Sequence, residues 1–315
     1  MKPRLVGALV ALAVLGALFC LFPEGSSANY TVTYQLLDRV DGFTHYRLNV
    51  VVSESLHQYY VEKDHELITE NDFAKFVTPY ALKPVSDSLR QLYDDDEAFV
   101  NGVLMIVHQI TYEVTGPPKY PVETIVDGKG DCDLFSYIAA SIIKAGGLDV
   151  VLFYYESESH MNVGVNLSHD PVEARGTAEY VVHGGKKFYV AECTGEDWQK
   201  GWRVGECPDN LKQTSLQVIT LEDCEHSAPG QVTASYKTLQ PSLLSLTVSP
   251  SYLLQGGTVT LSGQLSPVMP NANVTIYIKL NGLPWTELVT IKTDLNGYFS
   301  YVWNAATAGI CSARA

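Results

Sequence analysis

The chain has 315 residues, of which 46% are hydrophobic and 18% are charged, and its formal net charge at pH 7 is −14. This composition is typical of a soluble protein with a well-formed core and an acidic surface. Binding to a phosphate backbone depends on clustered Lys and Arg residues, and because no such stripe occurs, the sequence argues against a nucleic-acid partner.

The N-terminus has the pattern of a targeting segment. Four residues that include Lys2 and Arg4 precede an uncharged apolar run from Leu5 to Phe22, whose length fits either a long signal-peptide core or a short membrane span. Small residues favour cleavage after Ala28, whereas the length of the run favours retention. We expect residues 1–28 to be a signal peptide or an N-terminal membrane anchor. The rest is then extracellular or at the cell surface, and membrane-anchored if the run is retained.

Alternating patterns predict a β-rich lead-in over residues 29–66. The strand-like segments are YTVTYQLL, THYRLNVVVS and HQYYVEKD, with Asp41-Gly42 as a hairpin turn. Helical periodicity then predicts helices over 71–77, 84–93 and 97–110. The acidic run from Asp94 to Glu97 is interpreted as the start of the third helix rather than a calcium site, because acids favour the positive end of a helix.

The stretch from Gly128 to Tyr155 places Cys132 where a glycine-broken loop turns into a helix. Apolar residues at spacings of three and four predict that helix from Asp133 to Ala145, with Asp131 as its N-cap. Unpaired N–H groups and the positive end of the helix dipole stabilise a thiolate in the first turn. Cys132 is therefore a candidate nucleophile, although a lone cysteine is more often a small buried hydrophobic residue.

A nucleophilic thiol needs a base and a group that orients the base. His160 opens an alternating run after the strand predicted from Asp149 to Tyr155, and a second hairpin turns at Gly184-Gly185. Glu192 lies near the end of that hairpin's second strand. A histidine at the start of a strand is usually a surface or core residue, but a carboxylate in an apolar strand needs a partner, and His160 is the natural one.

This order of Cys, His and acid resembles the transglutaminase-like family of cysteine enzymes. The matching segments are PVETIVDGKGDCDLFSYIAASIIKAGGLDVVL, ESHMNVGVNL and FYVAECTGEDW. The resemblance implies an α+β fold with a papain-like core over residues 67–226, in which the helix bearing the cysteine packs on an antiparallel sheet. It also implies that Cys132 is the nucleophile, His160 the general base and acid, and Glu192 the third member of a catalytic triad.

Two positions depart from the family pattern. The third member is usually Asp followed two residues later by Thr, whereas this chain has Glu192 and Thr194. The aromatic residue that often follows the histidine is absent, and Met161 and Asn162 stand there instead. These departures favour an alternative in which the core is a catalytically silent scaffold for binding or adhesion at the cell surface.

The remainder of the chain is predicted to be a linker over residues 227–241 and an all-β domain over 242–315. Short alternating strands in the latter resemble a bacterial-type immunoglobulin-like β-sandwich. The run from Asp294 to Gly297 favours a hairpin turn over a calcium loop. Because the chain ends where such a sandwich should continue, we expect the domain to be truncated.

The cysteines outside the predicted triad permit disulfides in an oxidising compartment. Cys20 lies in the targeting run, and the other four allow three pairings: Cys193, Cys207, Cys224 and Cys311. Cys207 with Cys224 is the favoured pair, because both lie in one loop-rich segment.

The leading functional hypothesis is a cysteine peptidase or amidase, or a transglutaminase-type acyltransferase, that acts on a protein or peptide substrate through an acyl-thioester. No cofactor is expected. A metal site built from Cys132, Asp133 and His160 is disfavoured, because paired Cys or His spacing is absent.

Overall fold

The computed structural model describes residues 29–195, 197–239 and 242–315 of a mixed α+β chain with several antiparallel sheets. The predicted targeting segment, residues 1–28, lies outside the described residues. Within the described part, no helix is both long enough and apolar enough to cross a membrane.

The described part of the chain begins with a hairpin that continues into a helix. Strands β1 (Asn29–Leu37) and β2 (His45–Ser53) pair antiparallel, and Asp41 in the turn has a φ of 56°. The next segment, predicted as a third strand, is instead helix α1 (Glu54–Val61). The prediction was wrong because the buried residues Leu56 and Tyr60 are four apart and lie on one helical face.

The helical layer follows the predicted order with shifted starts. A 3₁₀ helix (Glu70–Phe76) precedes α2 (Pro79–Leu92) and α3 (Asp96–Val107). Helix α2 begins five residues before the predicted position because Pro79, rather than Pro84, occupies its first turn. The acidic run starts α3 as predicted, since the Asp95 side chain accepts from the N–H of Ala98 at 2.9 Å.

The segment around Cys132 consists of short elements followed by a longer helix. They are β3 (Thr111–Tyr112), α4 (Pro121–Asp127), β4 (Lys129–Gly130) and α5 (Cys132–Ala145). Strands β3 and β4 pair in parallel and fix the loop just before α5. Helix α4 was not predicted, whereas α5 matches the predicted helix to within one residue.

Helix α5 packs on a five-stranded antiparallel sheet with the strand order β7-β8-β6-β5-β9. The strands are β5 (Val150–Tyr155), β6 (His160–Val165), β7 (Tyr180–His183), β8 (Lys186–Ala191) and β9 (Gln217–Ile219). The predicted hairpin is confirmed, because β7 and β8 pair across Gly184 and Gly185, both with positive φ. This sheet places the starts of β6 and α5 close together.

The segment predicted as a linker contains a strand. Strand β10 (Thr233–Leu239) pairs antiparallel with β2 and completes a three-stranded sheet with the order β1-β2-β10. Residues 233–239 are therefore part of a sheet formed with β1 and β2. The linker prediction was wrong here because the pairing partner lies almost 200 residues away in sequence, beyond the reach of a local pattern.

The C-terminal part is all β, with two sheets that share a core of Leu261, Val274, Ile276 and Phe299. Its strands are β11 (Leu243–Leu244), β12 (Thr247–Ser249), β13 (Thr258–Ser266), β14 (Asn273–Leu280), β15 (Thr286–Lys292), β16 (Tyr298–Asn304) and β17 (Cys311–Arg314). Strand β13 pairs with β11, β12 and β16, and β14 lies between β15 and β17.

The turn at Asp294 forms, but it is not a hairpin. Oδ1 of Asp294 accepts from the main-chain N–H groups of Asn296 and Tyr298 at 2.8 and 2.9 Å. The turn leads from β15 into β16, which pairs with β13 in the other sheet. A local turn pattern cannot reveal this, because the same turn chemistry serves hairpins and crossings between sheets.

The five described cysteines are free thiols, so the predicted pairing of Cys207 with Cys224 is wrong. Cys224 lies in the main core with α5, whereas Cys207 packs in a second cluster with Phe153 and Tyr155. Since Phe153 and Leu152 point to opposite faces of the sheet, the sheet itself separates the two thiols.

Candidate functional site

Cys132 is the first residue of α5, with Asp131 as the N-cap residue. Its side chain is 9% exposed, so the sulfur lies just beneath the surface. The Sγ atom is 3.8 Å from the carbonyl oxygen of Ser159, the residue before β6. The helix start thus meets the head of the strand that carries His160.

His160 lies between the thiol and the acid. Its Nε2 atom is 3.0 Å from Oε2 of Glu192. The Cys132 side chain also acts on the imidazole and raises its pKa, and because Nε2 is engaged by the carboxylate, Nδ1 is the ring nitrogen available to the sulfur. The structure therefore brings the three predicted site residues into one neighbourhood.

The Glu192 carboxylate follows β8 directly, is fully buried, and is hydrogen-bonded on both oxygens. Oε2 accepts from Nδ2 of Asn162 at 3.0 Å as well as from His160. Oε1 accepts from the main-chain N–H of Thr194 at 2.9 Å and from its Oγ1 at 2.6 Å. These contacts fix the carboxylate with one oxygen directed at the imidazole, although glutamate is one methylene longer than the aspartate usual in the resembling family.

The electrostatics favour a charged pair. Burial alone would lower the pKa of His160, but hydrogen bonds to Cys132 and Glu192 and the charge of Glu192 outweigh burial and raise it to about 10. Burial alone would raise the pKa of Glu192, but the His160, Thr194 and Asn162 contacts hold it below its ordinary value. An imidazolium beside a carboxylate is also the form that stabilises a neighbouring thiolate.

Asn162 belongs to the candidate site through its hydrogen bond to Glu192, although the sequence marked it only as a departure from the family pattern. It is buried on β6 two positions after His160. Because residues i and i+2 of a strand share a face, both side chains reach the same carboxylate. The signal that could have revealed this was the alternation of the strand itself.

His108 contacts the main chain of Glu192, a contact that the sequence did not predict. This buried residue follows α3, and its Nε2 atom is 3.0 Å from the main-chain oxygen of Glu192. The pKa of His108 is lowered, and burial is the largest of the effects that act on it. A Cβ added at Gly201 would lie 2.5 Å from Nδ1 of His108, so this glycine permits the loop after Glu192 to close over the ring. No motif in the sequence marks this contact.

No protein-family model, curated protein or solved structure matches this chain. The function is therefore proposed from the geometry and chemistry of the site.

Two tyrosines lie within electrostatic range of Cys132. Tyr112 on β3 is 51% exposed, and its pKa is raised first by burial and then by the charge of Cys132. Tyr154 on β5 packs against Phe73 with ring centroids 5.2 Å apart. Burial first, then the charges of Glu156, Glu70 and Cys132, raise the pKa of Tyr154. Cys132 therefore shares its electrostatic surroundings with Tyr112, Tyr154 and the acids Glu70 and Glu156.

A separate cluster at the start of α3 has the composition of a metal site, but its side chains already have hydrogen-bond partners within the protein. Asp95, Glu97 and His169 place one donor atom each within 4.8 Å of one another. However, Nε2 of His169 lies 2.8 Å from Asp95, and Glu97 accepts main-chain N–H groups from the loop that follows β6. The cluster joins this loop to the helix start.

Proposed function

We propose that this chain is an exported cysteine enzyme of the transglutaminase-like class, acting on amide or peptide bonds through Cys132, His160 and Glu192. Residues 67–226 then supply a papain-like core, and residues 242–315 an immunoglobulin-like sandwich. The location is extracellular or at the cell surface, with a membrane anchor if Leu5 to Phe22 is retained. The observation that carries the proposal is the His160 imidazole, which contacts a fully buried carboxylate at 3.0 Å and interacts with a cysteine in the first turn of a helix.

The first half of the reaction uses the Cys132 thiolate and the His160 imidazolium. The Cys132 thiolate attacks the carbonyl carbon of an amide, forming a C–S bond, and the main-chain N–H at the helix start is available to the developing oxyanion. The C–N bond then breaks as the His160 imidazolium gives its proton to the departing amine. This leaves an acyl-thioester on Cys132 and a neutral imidazole.

The second half returns the enzyme to its starting state. Water or a second amine attacks the thioester carbonyl while His160 takes a proton from the attacking group, and the C–S bond breaks to restore the thiolate. Attack by water gives a peptidase or amidase, and attack by a lysine amine gives a transglutaminase. Glu192 holds the ring in place and stabilises the imidazolium in both halves.

The surroundings of the thiol favour a particular kind of substrate. Glu70 and Glu156 are exposed, and their charges act on Tyr154, as the charge of Cys132 does. Negative charge at a binding surface attracts positive charge, and exposed aromatic rings add apolar contact and cation–π attraction. We therefore expect segments with basic side chains near the target amide to be processed faster than acidic ones.

The proposal is tested by incubating the chain with casein and a fluorescent primary amine. Incorporation of the label indicates acyl transfer, fragments indicate hydrolysis, and either activity should be lost in Cys132→Ala. Parallel assays with basic and acidic peptides of equal length test the expected substrate preference. If neither product forms with any of these substrates, the cysteine enzyme is refuted in favour of the silent cell-surface scaffold.

A further inference from the structure

Asp131 and Asp133 flank Cys132 in sequence, and the Asp131 carboxyl acts on that of Asp133 strongly enough to raise its pKa. Although Asp131 is the N-cap residue of α5, its side chain does not cap the helix. Oδ2 instead accepts from the main-chain N–H of Thr115 at 2.8 Å and from Thr115 Oγ1 at 3.2 Å. This carboxyl ties the loop after β3 to the start of the helix.

The second oxygen of Asp131 lacks a conventional donor. Oδ1 is buried and has no hydrogen-bond partner among the described residues. A buried acceptor in this state is costly, and the group available to it is the carboxyl of Asp133. Two ionised carboxylates are both acceptors only, whereas a protonated carboxyl has one O–H to donate.

The surroundings of Asp133 act in both directions, and the balance favours its protonated form. Burial, followed by the hydrogen bond and charge of Asp131, outweighs the main-chain N–H groups of Asp133 and Leu134 that lower the pKa, and raises the pKa of Asp133 to about 8. The Tyr137 hydroxyl lies 3.5 Å from Oδ2 of Asp133, and burial holds the pKa of Tyr137 well above its ordinary value, so the hydroxyl stays protonated. The charges of Asp131, Asp133 and Cys132 also act on Tyr112 on β3 and on Tyr137.

We propose that Asp131 and Asp133 share one proton while Cys132 is reactive, so that Asp133 is a neutral hydrogen-bond donor to Oδ1 of Asp131. Asp133 is then a positioning residue, because it acts through Asp131 and does not touch the reacting atoms. The shared proton leaves one negative charge beside the thiolate where two would otherwise flank it, and like charges disfavour a thiolate. This consequence for reactivity rests on the proposed function, whereas the shared proton does not.

The shared proton is measured by carbon NMR of labelled aspartate in the full chain carrying Cys132→Ala, which removes the titration of the thiol. We expect one carboxyl carbon to titrate near pH 8 and to disappear from the spectrum in Asp133→Asn. In Asp131→Asn the partner charge is gone, and the Asp133 titration should move down by about one pH unit or more. Titration of both carboxyl groups below pH 5, as expected for two ionised groups bridged by water, would overturn the proposal.

The positioning role is measured by the rate at which iodoacetamide alkylates Cys132 at pH 7. Asp133→Ala removes the donor and should lower the rate about tenfold, whereas Asp133→Asn keeps an N–H donor in the same place and should restore most of it. Equal rates in the Ala and Asn variants would overturn the positioning role. A shared proton seen by NMR together with an unreactive Cys132 in the unsubstituted chain would refute the proposed function and leave the carboxyl pair intact.

Discussion

His160 and Glu192 are joined by a 3.0 Å contact between Nε2 and Oε2, in which the histidine side chain is 19% exposed and the glutamate is fully buried. Because Glu192 is buried, water cannot take its place as the partner of the His160 ring when the ring changes its charge. The contact therefore sets both the orientation and the proton affinity of the imidazole.

Replacing Glu192 by Gln removes the buried charge while keeping the size of the side chain. Because that charge and hydrogen bond help to raise the pKa of His160 to about 10, the substitution should move the alkaline limit of activity to lower pH. It should also reduce kcat/KM by roughly tenfold to a hundredfold. The measurement is a pH profile of kcat/KM, and an unchanged profile and rate would remove Glu192 from the mechanism.

Asn162→Ala tests the support of the carboxylate. Losing the 3.0 Å bond from Nδ2 to Oε2 of Glu192 should lower kcat/KM about threefold to tenfold and leave KM nearly unchanged, because one of several donors to a charged group is removed. Asn166→Ala is the matched control, since its amide binds the main-chain oxygen of Lys187 away from the triad. Equal effects from the two substitutions would contradict the role assigned to Asn162.

Gly164→Ala tests the packing of the strand that carries His160. A Cβ at this position would lie 2.3 Å from Cζ of the Phe153 ring, which is fully buried in the cluster on that face of the sheet. Overpacking of this kind should lower the free energy of unfolding by about 1–3 kcal/mol. Gly176→Ala, where an added Cβ meets nothing within 4 Å, should change little. Denaturant unfolding of both variants makes the comparison.

The charged pair also makes stability depend on pH. The pKa of His160 is raised from 6.5 to about 10, so its contribution is fully present below pH 6.5 and is lost as pH rises toward 10. The pKa of Glu192 is held below its ordinary 4.5, so its contribution is present above pH 4.5 and is lost on further acidification. The difference in unfolding free energy between the parent chain and His160→Gln should therefore be largest between pH 4.5 and 6.5. A difference that grows from pH 7 to 10 would have the wrong sign.

Local sequence patterns revealed the parts of the site that depend on neighbouring residues. The glycine-broken loop and apolar period placed Cys132 at a helix start, and alternation placed His160 at the head of a strand. The departures arise where distant partners decide the structure. Strand β10 forms because β2 offers it an edge, and Leu56 and Tyr60 make α1 a helix because they pack on the core.

Sequence patterns could not predict the supporting contacts of the site either, because these contacts also join residues that are distant in sequence. His108 reaches the main chain of Glu192 across 84 positions, and nothing around it in the sequence differs from an ordinary helix end. The resemblance to the transglutaminase-like family supplied the roles of the three main residues, but it did not indicate Asn162 or the carboxyl pair at Asp131 and Asp133. Those depend on how particular side chains meet in space.

The most direct test of the account is the rate at which iodoacetamide alkylates each cysteine at pH 6, followed by peptide mass spectrometry. Cys311 is the internal control, because it is exposed and partial desolvation raises the pKa of its thiol. Cys193 cannot serve as this control because it is fully buried. The account predicts that Cys132 reacts faster than Cys311 although it is less accessible, and that His160→Ala abolishes this advantage. A Cys132 that reacts no faster than Cys311, or equally fast without the imidazole, would contradict the proposed cysteine enzyme.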